Sequence, residues 1–440
     1  MRRLSVLEYF TINIYWLVLS YFLNGIGRFV QPAMVEFLAP QAIKATALGV
    51  LASAGLIVAT VVQPLMGALS DRSTLRWGRR RPFILVGTLL DLACLALIGL
   101  SGNYWVLFVA ILFLQFSTNT AHGALQGLIP DLAPQKQRGK VVGVKQFLEI
   151  LGLIATSLIT ARFMNQAKQL FDQGQYSLAR SQVWMALGVI MILLVAGLLL
   201  TLLLVREKPL EEKAKGSALS AALRTFNVDV VKYSDYVWLL IARLFILMGV
   251  YLVSTYAVYF LDDVVGLPNA YTAAGDLLAT IAVVILMTSY PAGYLCDRLG
   301  RKPLNILSGP VGALGALLLL SSTGEVLFSP LGFGFSDILV YGSIMGLSMG
   351  IFLSANWTLA TDLIPPEEAG KYLGISNLAT AGSGVLGGLI GGPIIDFFNA
   401  RQAGQGYTAA FLLSAGCFLL GTLLFVKVRE VRRETVLATG

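Results

Sequence analysis

Apolar residues run in twelve long stretches along this chain, and polar residues gather between them. The stretches lie near 12–37, 47–70, 82–101, 104–128, 141–163, 183–205, 237–261, 271–296, 303–322, 337–361, 371–395 and 408–427. Each holds 20 to 26 residues. At about 1.5 Å per residue, a helix of that length crosses a hydrocarbon core of roughly 30 Å with some tilt. The pattern predicts an all-α integral membrane protein of twelve transmembrane helices. Composition agrees: 56% of residues are apolar and 13% charged, with a mean hydropathy of +0.76, whereas a soluble chain carries about 25% charge. The surplus apolar surface takes the lipid bilayer as its solvent.

Net charge is +8, and its distribution decides what that means. With the N-terminus placed in the cytoplasm, 24 of the 32 Lys and Arg fall in cytoplasmic segments. Only Lys44, Arg162, Lys168, Arg180 and Arg401 fall outside, and Arg28, Lys145 and Arg243 lie within spans. This asymmetry predicts both termini in the cytoplasm, across a cell membrane. The basic balance is therefore topogenic, and nucleic acid is not an expected partner. The longest connection, 206–235, divides six spans from six, giving bundles at 1–205 and 236–440, with a short surface helix expected at Leu219–Phe226. Met1–Thr11 lacks the features of a cleaved leader, so the first span is read as retained. Cys94, Cys296 and Cys417 are scattered in or at the ends of spans, which predicts apolar filler with no disulfide and no metal site. One histidine, no Cys-x-x-Cys and no phosphate-binding loop argue against an enzyme or an ATP-driven pump, and no cofactor is implied.

The two halves share motifs in the same order. Gly67-Ala68-Leu69-Ser70-Asp71-Arg72, followed by Trp77-Gly78-Arg79-Arg80-Arg81-Pro82, returns as Gly293-Tyr294-Leu295-Cys296-Asp297-Arg298-Leu299-Gly300-Arg301-Lys302-Pro303. Asp131-Leu132-Ala133-Pro134, leading to Gly139-Lys140, returns as Asp362-Leu363-Ile364-Pro365, leading to Gly370-Lys371. A duplicated membrane chain whose halves rock against each other is the apparatus of alternating-access transport. Gly67 and Gly293 are read as points of close helix approach. Asp71 and Asp297, at helix ends near Arg72, Arg79, Arg298 and Arg301, are read as a gating latch, against the plainer reading of topogenic charge.

The hinge pattern Gly-x-x-x-Asp-Arg-x-Gly-Arg-Lys, complete at 293–302 and enlarged at 67–81, resembles the major facilitator superfamily over essentially the whole chain. The enlarged copy resembles its sucrose-transporter-like and glycoside–pentoside–hexuronide branches. A pigment-delivery family with a basic loop at the same place is the alternative branch. The resemblance implies two pseudo-symmetric six-helix halves and secondary transport of sugars or glycosides coupled to protons or sodium. It also implies a central cavity lined by spans 1, 2, 4, 5, 7, 8, 10 and 11.

Charges inside spans are costly and seldom kept without a partner or a task. Lys145 and Glu149, spaced i, i+4, share one helix face. Glu149 is the first choice for a proton-coupling carboxylate, with Lys145 or Arg28 as its counter-charge and His122 as a further titratable group. A permanent internal ion pair is the competing reading. Asp91, on a peripheral span, is read as a structural partner. Asn24, Arg28, Gln115, Asn119, Gln146, Arg243, Tyr256, Asn356, Trp357 and Asn377 make up the candidate solute site. Amides suit sugar hydroxyls, and an aromatic ring suits the C–H face. Leu51 to Pro64 carries no acidic residue, which disfavours sodium. Three cations against one Glu149 make an organic anion a rival solute. Drug export and delivery of a tetrapyrrole pigment are two more rival functions for the same fold. A monomer is expected.

Overall fold

The computed structural model describes residues 3–205, 207, 233–329, 334–364 and 369–429, with the side chains of 369–371, 373 and 374 outside the description. The expected surface helix at Leu219–Phe226 lies outside the described residues. Twelve helices are long and apolar enough to cross a membrane. They are spans 1 (Val6–Leu38), 2 (Gln41–Ser70), 3 (Arg81–Leu100), 4 (Tyr104–Leu132), 5 (Gln135–Asp172), 6 (Tyr176–Leu204), 7 (Ser234–Asp263), 8 (Ala270–Leu299), 9 (Arg301–Leu320), 10 (Asp337–Asp362), 11 (Ile375–Asn399) and 12 (Gln405–Phe425). Their number and order match the apolar stretches, and several helices overrun their stretch at one or both ends. Span 1 starts early because Ser5 and Glu8 form a reciprocal capping box. Span 5 runs past its apolar stretch to Asp172, helped by the i, i+4 pair Lys168–Asp172 at 2.6 Å. A two-stranded hairpin, β1 (Val326–Phe328) with β2 (Phe335–Ser336), lies between spans 9 and 10 and had no signal in the hydropathy.

The helix pairings repeat between the halves. Asn13 on span 1 donates to the Val141 carbonyl of span 5, and Tyr236 on span 7 donates to the Tyr372 carbonyl of the helix containing span 11. Span 3 meets span 4 where Gly87 lies against Ala121, and span 9 meets span 10 where Ser348 donates to the Ser308 carbonyl. Span 3 meets span 6 at Gly99 and Trp184, and span 9 meets span 12 at Gly309 and Thr422. Pairs 1·5, 3·4 and 3·6 thus return as 7·11, 9·10 and 9·12. By contact density the chain forms two compact units that cut across this repeat. One is 1–224 with 254–282 and 384–410; the other is 225–253, 283–383 and 411–440.

The duplicated motif keeps its backbone as well as its letters. Gly78 and Gly300, each just ahead of a basic run and a proline, both have positive φ, 118° and 97°. A side chain there is strained, by about 1–2 kcal/mol. At Gly78 an added Cβ would also strike the Glu207 carboxylate. Gly78→Ala is therefore expected to lower the apparent melting temperature of the protein in detergent. An unchanged melting curve would show that this turn relaxes freely.

Candidate functional site

The polar side chains of span 1 lie on one stripe, because Trp16, Ser20, Asn24 and Arg28 are spaced four apart. Asn24 donates to the Ser20 carbonyl at 2.9 Å and accepts from Arg28 Nε at 3.2 Å. Arg28 sits in a π-helical turn, Ile26–Val30, a local widening that often marks functional positions. On span 5, Lys145 Nζ lies 3.0 Å from Glu149 Oε1 and 3.1 Å from Oε2. The same ammonium stands 4.0 Å above the Trp16 ring, a cation–π contact that holds it between ring and carboxylate. His122 on span 4 meets Trp16 edge-on at 5.3 Å and lies 3.4 Å from the Gln63 amide.

Trp16, Ser20, Asn24, His122, Gln146 and Glu149 line a half-open cavity of about 250 Å³ together with Leu19, Leu23, Ile150 and Leu153. Gln115 lines a smaller neighbouring chamber with Gln31 and Thr118, and Asn119 is buried against the Gln115 carbonyl of its own helix. The first compact unit therefore brings together most of the expected N-terminal set. In the second unit, Arg243 is buried and donates to Asn356 Oδ1 at 2.5 Å and to Thr380 at 3.1 Å, while the buried Asn356 Nδ2 has no hydrogen-bond partner among the described residues. Trp357 and Asn377 are exposed. Tyr256 departs from the expected solute set. Its ring is fully buried and its hydroxyl donates to the Gly388 carbonyl at 3.2 Å, so packing between spans 7 and 11 uses its polar end.

In the first copy of the motif Asp71 pairs with Arg80, which lay outside the expected set, and Arg79 pairs with Asp131 instead. Arg80, 4% exposed, reaches Asp71, Asp131 Oδ2 at 2.9 Å and Ser70 Oγ at 2.5 Å, while Arg79 also clasps Asp131. Glu207 closes the cluster by accepting the Arg80 N–H at 2.8 Å. Burial raises its carboxyl above the usual range, opposed by those N–H bonds and by the Arg80 charge. In the second copy Arg301 pairs with Asp362 at 3.0 Å, whereas Asp297 is exposed and Arg298 stacks over Tyr294 at 4.5 Å. Two corrections follow. Gly67 faces the Gly123 carbonyl, but an added Cβ on Gly293 would meet nothing within 4 Å among the described residues, none of which approaches it closely. The hub of the first copy is Asp131, a member of the second repeated motif to which the sequence assigned no role. Its recurrence as Asp362 was the available signal.

A second polar cluster, missed in the sequence, joins the ends of spans 1, 2, 5, 7 and 8 within the first unit. Glu36, 5% exposed, accepts from Tyr271 at 3.1 Å and lies 3.5 Å from Lys44 and 3.8 Å from Lys168. Lys44 reaches Asp263 at 2.8 Å, and Lys168 reaches Asp262 at 3.2 Å. The five charges read singly as ordinary loop charges; drawn from four separate segments, they converge only in three dimensions.

A model of the Major Facilitator Superfamily matches residues 17–336 and 272–439. The sucrose transport protein SUT5 of Oryza sativa is 26% identical over 459 residues, covering 88% of this chain and 82% of that protein. The lactose permease of Lactobacillus helveticus is 23% identical over 289 residues, covering 63% and 44% respectively. Among solved structures, a D-xylose-proton symporter superposes with a TM-score of 0.71 at 17% identity, covering 97% of this chain and 98% of that one.

Proposed function

The chain belongs to the Major Facilitator Superfamily, and from that premise we propose that it is a secondary transporter of a sugar or glycoside, driven by protons. It is a multi-pass membrane protein and not an enzyme. In our reading it works as a monomer, in a cell membrane, with both termini in the cytoplasm and halves at 1–205 and 236–440 joined by 206–235. One observation carries the proposal: Glu149, paired with Lys145, lines a cavity of about 250 Å³ whose walls also hold the Asn24 and Gln146 amides and the Trp16 indole among leucine and isoleucine side chains. Amide donors and acceptors match sugar hydroxyls, and the indole face matches sugar C–H groups. The relatives named for sucrose and lactose transport, and the fold neighbour named for xylose–proton symport, support the same class.

Solute entering this cavity competes for Lys145, and loss of that cation favours the protonated form of Glu149. Proton uptake is thereby tied to solute binding. The Asp71–Arg80–Asp131–Arg79 cluster at the terminal side, and the Glu36 cluster at the other, supply latches that alternate as access changes.

Purified protein in liposomes, offered labelled sucrose, lactose and xylose with and without an inward proton gradient, tests this reading. Accumulation of at least one sugar that collapses with an uncoupler is the expected result. Downhill entry of all three with no response to the gradient would refute coupling. No entry at all would refute the sugar class and turn attention to organic anions.

A further inference from the structure

Three carboxylates are buried among the described residues, Glu36, Asp91 and Asp337, and Asp91 completely. Glu36 has Lys44 and Lys168 beside it. Asp337 accepts the backbone N–H groups of Thr323, Gly324 and Ile338. Asp91, at the middle of span 3, has neither cation nor amide. Its Oδ1 lies 2.5 Å from Ser117 Oγ and 2.7 Å from Thr118 Oγ1 on span 4. Its Oδ2 has no hydrogen-bond partner among the described residues. The other titratable groups facing it are Tyr15 on span 1 and Cys94 on its own helix. The Tyr15 hydroxyl is paired with Thr88 Oγ1 at 2.5 Å, and Thr88 donates to the Ile84 carbonyl. Span 6 brings the uncharged Trp184 against the far end of span 3.

Counting hydrogens in this cluster gives a specific result. Ser117 owns one hydroxyl hydrogen and faces two acceptors, Asp91 Oδ1 at 2.5 Å and the Leu114 carbonyl at 3.0 Å. With an ionised carboxylate the one Ser117 hydrogen is shared between both acceptors; a neutral carboxyl relieves the conflict, with Asp91 Oδ1–H donating to Ser117 and Ser117 donating to Leu114. Thr118 connects the carboxyl to polar space. It also lines the chamber of about 30 Å³, room for a single water, that lies between the π-helical turn of span 1 and the Leu114–Thr118 face of span 4.

We propose that Asp91 is a second proton seat, holding an exchangeable proton that passes to and from this chamber through the Thr118 hydroxyl. On loading, Thr118 gives its hydrogen to the carboxylate and takes one from a chamber water that has received a proton from solvent, leaving neutral water; on release both transfers reverse. That the seat empties and refills during turnover rests on the transport reading. That the proton is present and exchangeable does not.

Infrared spectroscopy of the purified full-length protein in detergent tests the seat without any solute. The expected spectrum has a deuterium-sensitive carbonyl stretch of a protonated carboxyl that disappears reversibly in alkaline buffer. It is absent from Asp91→Asn and kept in Glu149→Gln. Thr118→Val should keep the band and slow its deuterium exchange about tenfold, the order expected for losing one relay hydrogen bond. Should Asp91→Asn not fold, Ser117→Ala serves instead, because losing its acceptor must shift the band frequency. A band absent from the wild type, unmoved by both variants, or persisting in alkali until the protein unfolds would overturn the proposal. So would displacement of the band by sodium chloride at constant pH, which marks a metal-cation site. Failure of sugar uptake with the band intact would refute the transport reading and leave the proton seat standing.

Discussion

Glu149→Gln is expected to leave a protein that exchanges its solute across the membrane and no longer concentrates it. A glutamine keeps the length of the side chain and an oxygen acceptor for Lys145 Nζ, which lies 3.0–3.1 Å from the carboxylate oxygens. It removes the charge and the site of protonation. Exchange of labelled for unlabelled solute requires no net proton movement, so a side chain fixed in the neutral form supports it. Accumulation requires a proton to be taken up and released in every cycle, and the variant has none to offer at this position. One pH unit corresponds to about 1.4 kcal/mol, enough for about tenfold accumulation with one proton per solute. The wild type should approach that ratio in proteoliposomes, and Glu149→Gln should stay near unity. Undiminished accumulation by the variant would remove Glu149 from the coupling mechanism. The ion pair would then be a fixed tie beside span 1, where Trp16 already holds the ammonium at 4.0 Å.

Much of this architecture was legible because lipid makes unusually simple demands on a sequence. Twelve apolar stretches had to become twelve spans, since unpaired backbone in hydrocarbon is prohibitive. The i, i+4 spacing of Lys145 and Glu149 needed only helical geometry to become a contact; the Trp16–Ser20–Asn24–Arg28 stripe has the same spacing and went unread. Helix ends were less legible. Capping by Ser5 and Glu8 and the Lys168–Asp172 pair extend helices through polar residues, where hydropathy carries no signal. Long-range partners were the hardest. Nothing near Glu36 in the chain announces Tyr271, and nothing near Asp91 announces Ser117 and Thr118. The repeated motif misled at Gly293 because duplicated letters need not keep duplicated neighbours: the same glycine faces a carbonyl in one copy and open space in the other.

A different pair of glycines governs the second large effect expected. Within the first compact unit, spans 2 and 11 run in backbone contact. An added Cβ on Gly49 would collide with the Gly388 carbonyl and come within 2.5 Å of the Tyr256 hydroxyl. One on Gly388 would collide with Ser53 Oγ and lie 2.6 Å from the Gly49 carbonyl. One turn further, Gly392 stands equally close to the Ala45 carbonyl, at 2.5 Å. Polar bonds line the seam: Ser53 donates to the Val385 carbonyl at 2.9 Å, and Asp396 accepts the Ala45 and Thr46 N–H groups that open span 2, at 3.3 and 2.6 Å. Tightly packed surfaces of this kind do not widen gradually; they stay closed or part. Gly388→Leu should therefore abolish the seam and hold this side, the outer one in our proposed orientation, permanently open. Turnover should fall at least about a hundredfold, because opening and closing must alternate and a bias of roughly 3 kcal/mol suffices to trap one state. A cysteine at the buried Ser53, in a chain whose half-buried Cys94 is replaced, reads the change directly. It should resist a membrane-impermeant maleimide in the parent and react in Gly388→Leu. Solute should still bind the variant, since the Lys145–Glu149 cavity lies elsewhere. Protection of the cysteine in both proteins, with normal turnover, would mean that spans 2 and 11 never part and that access alternates along another seam.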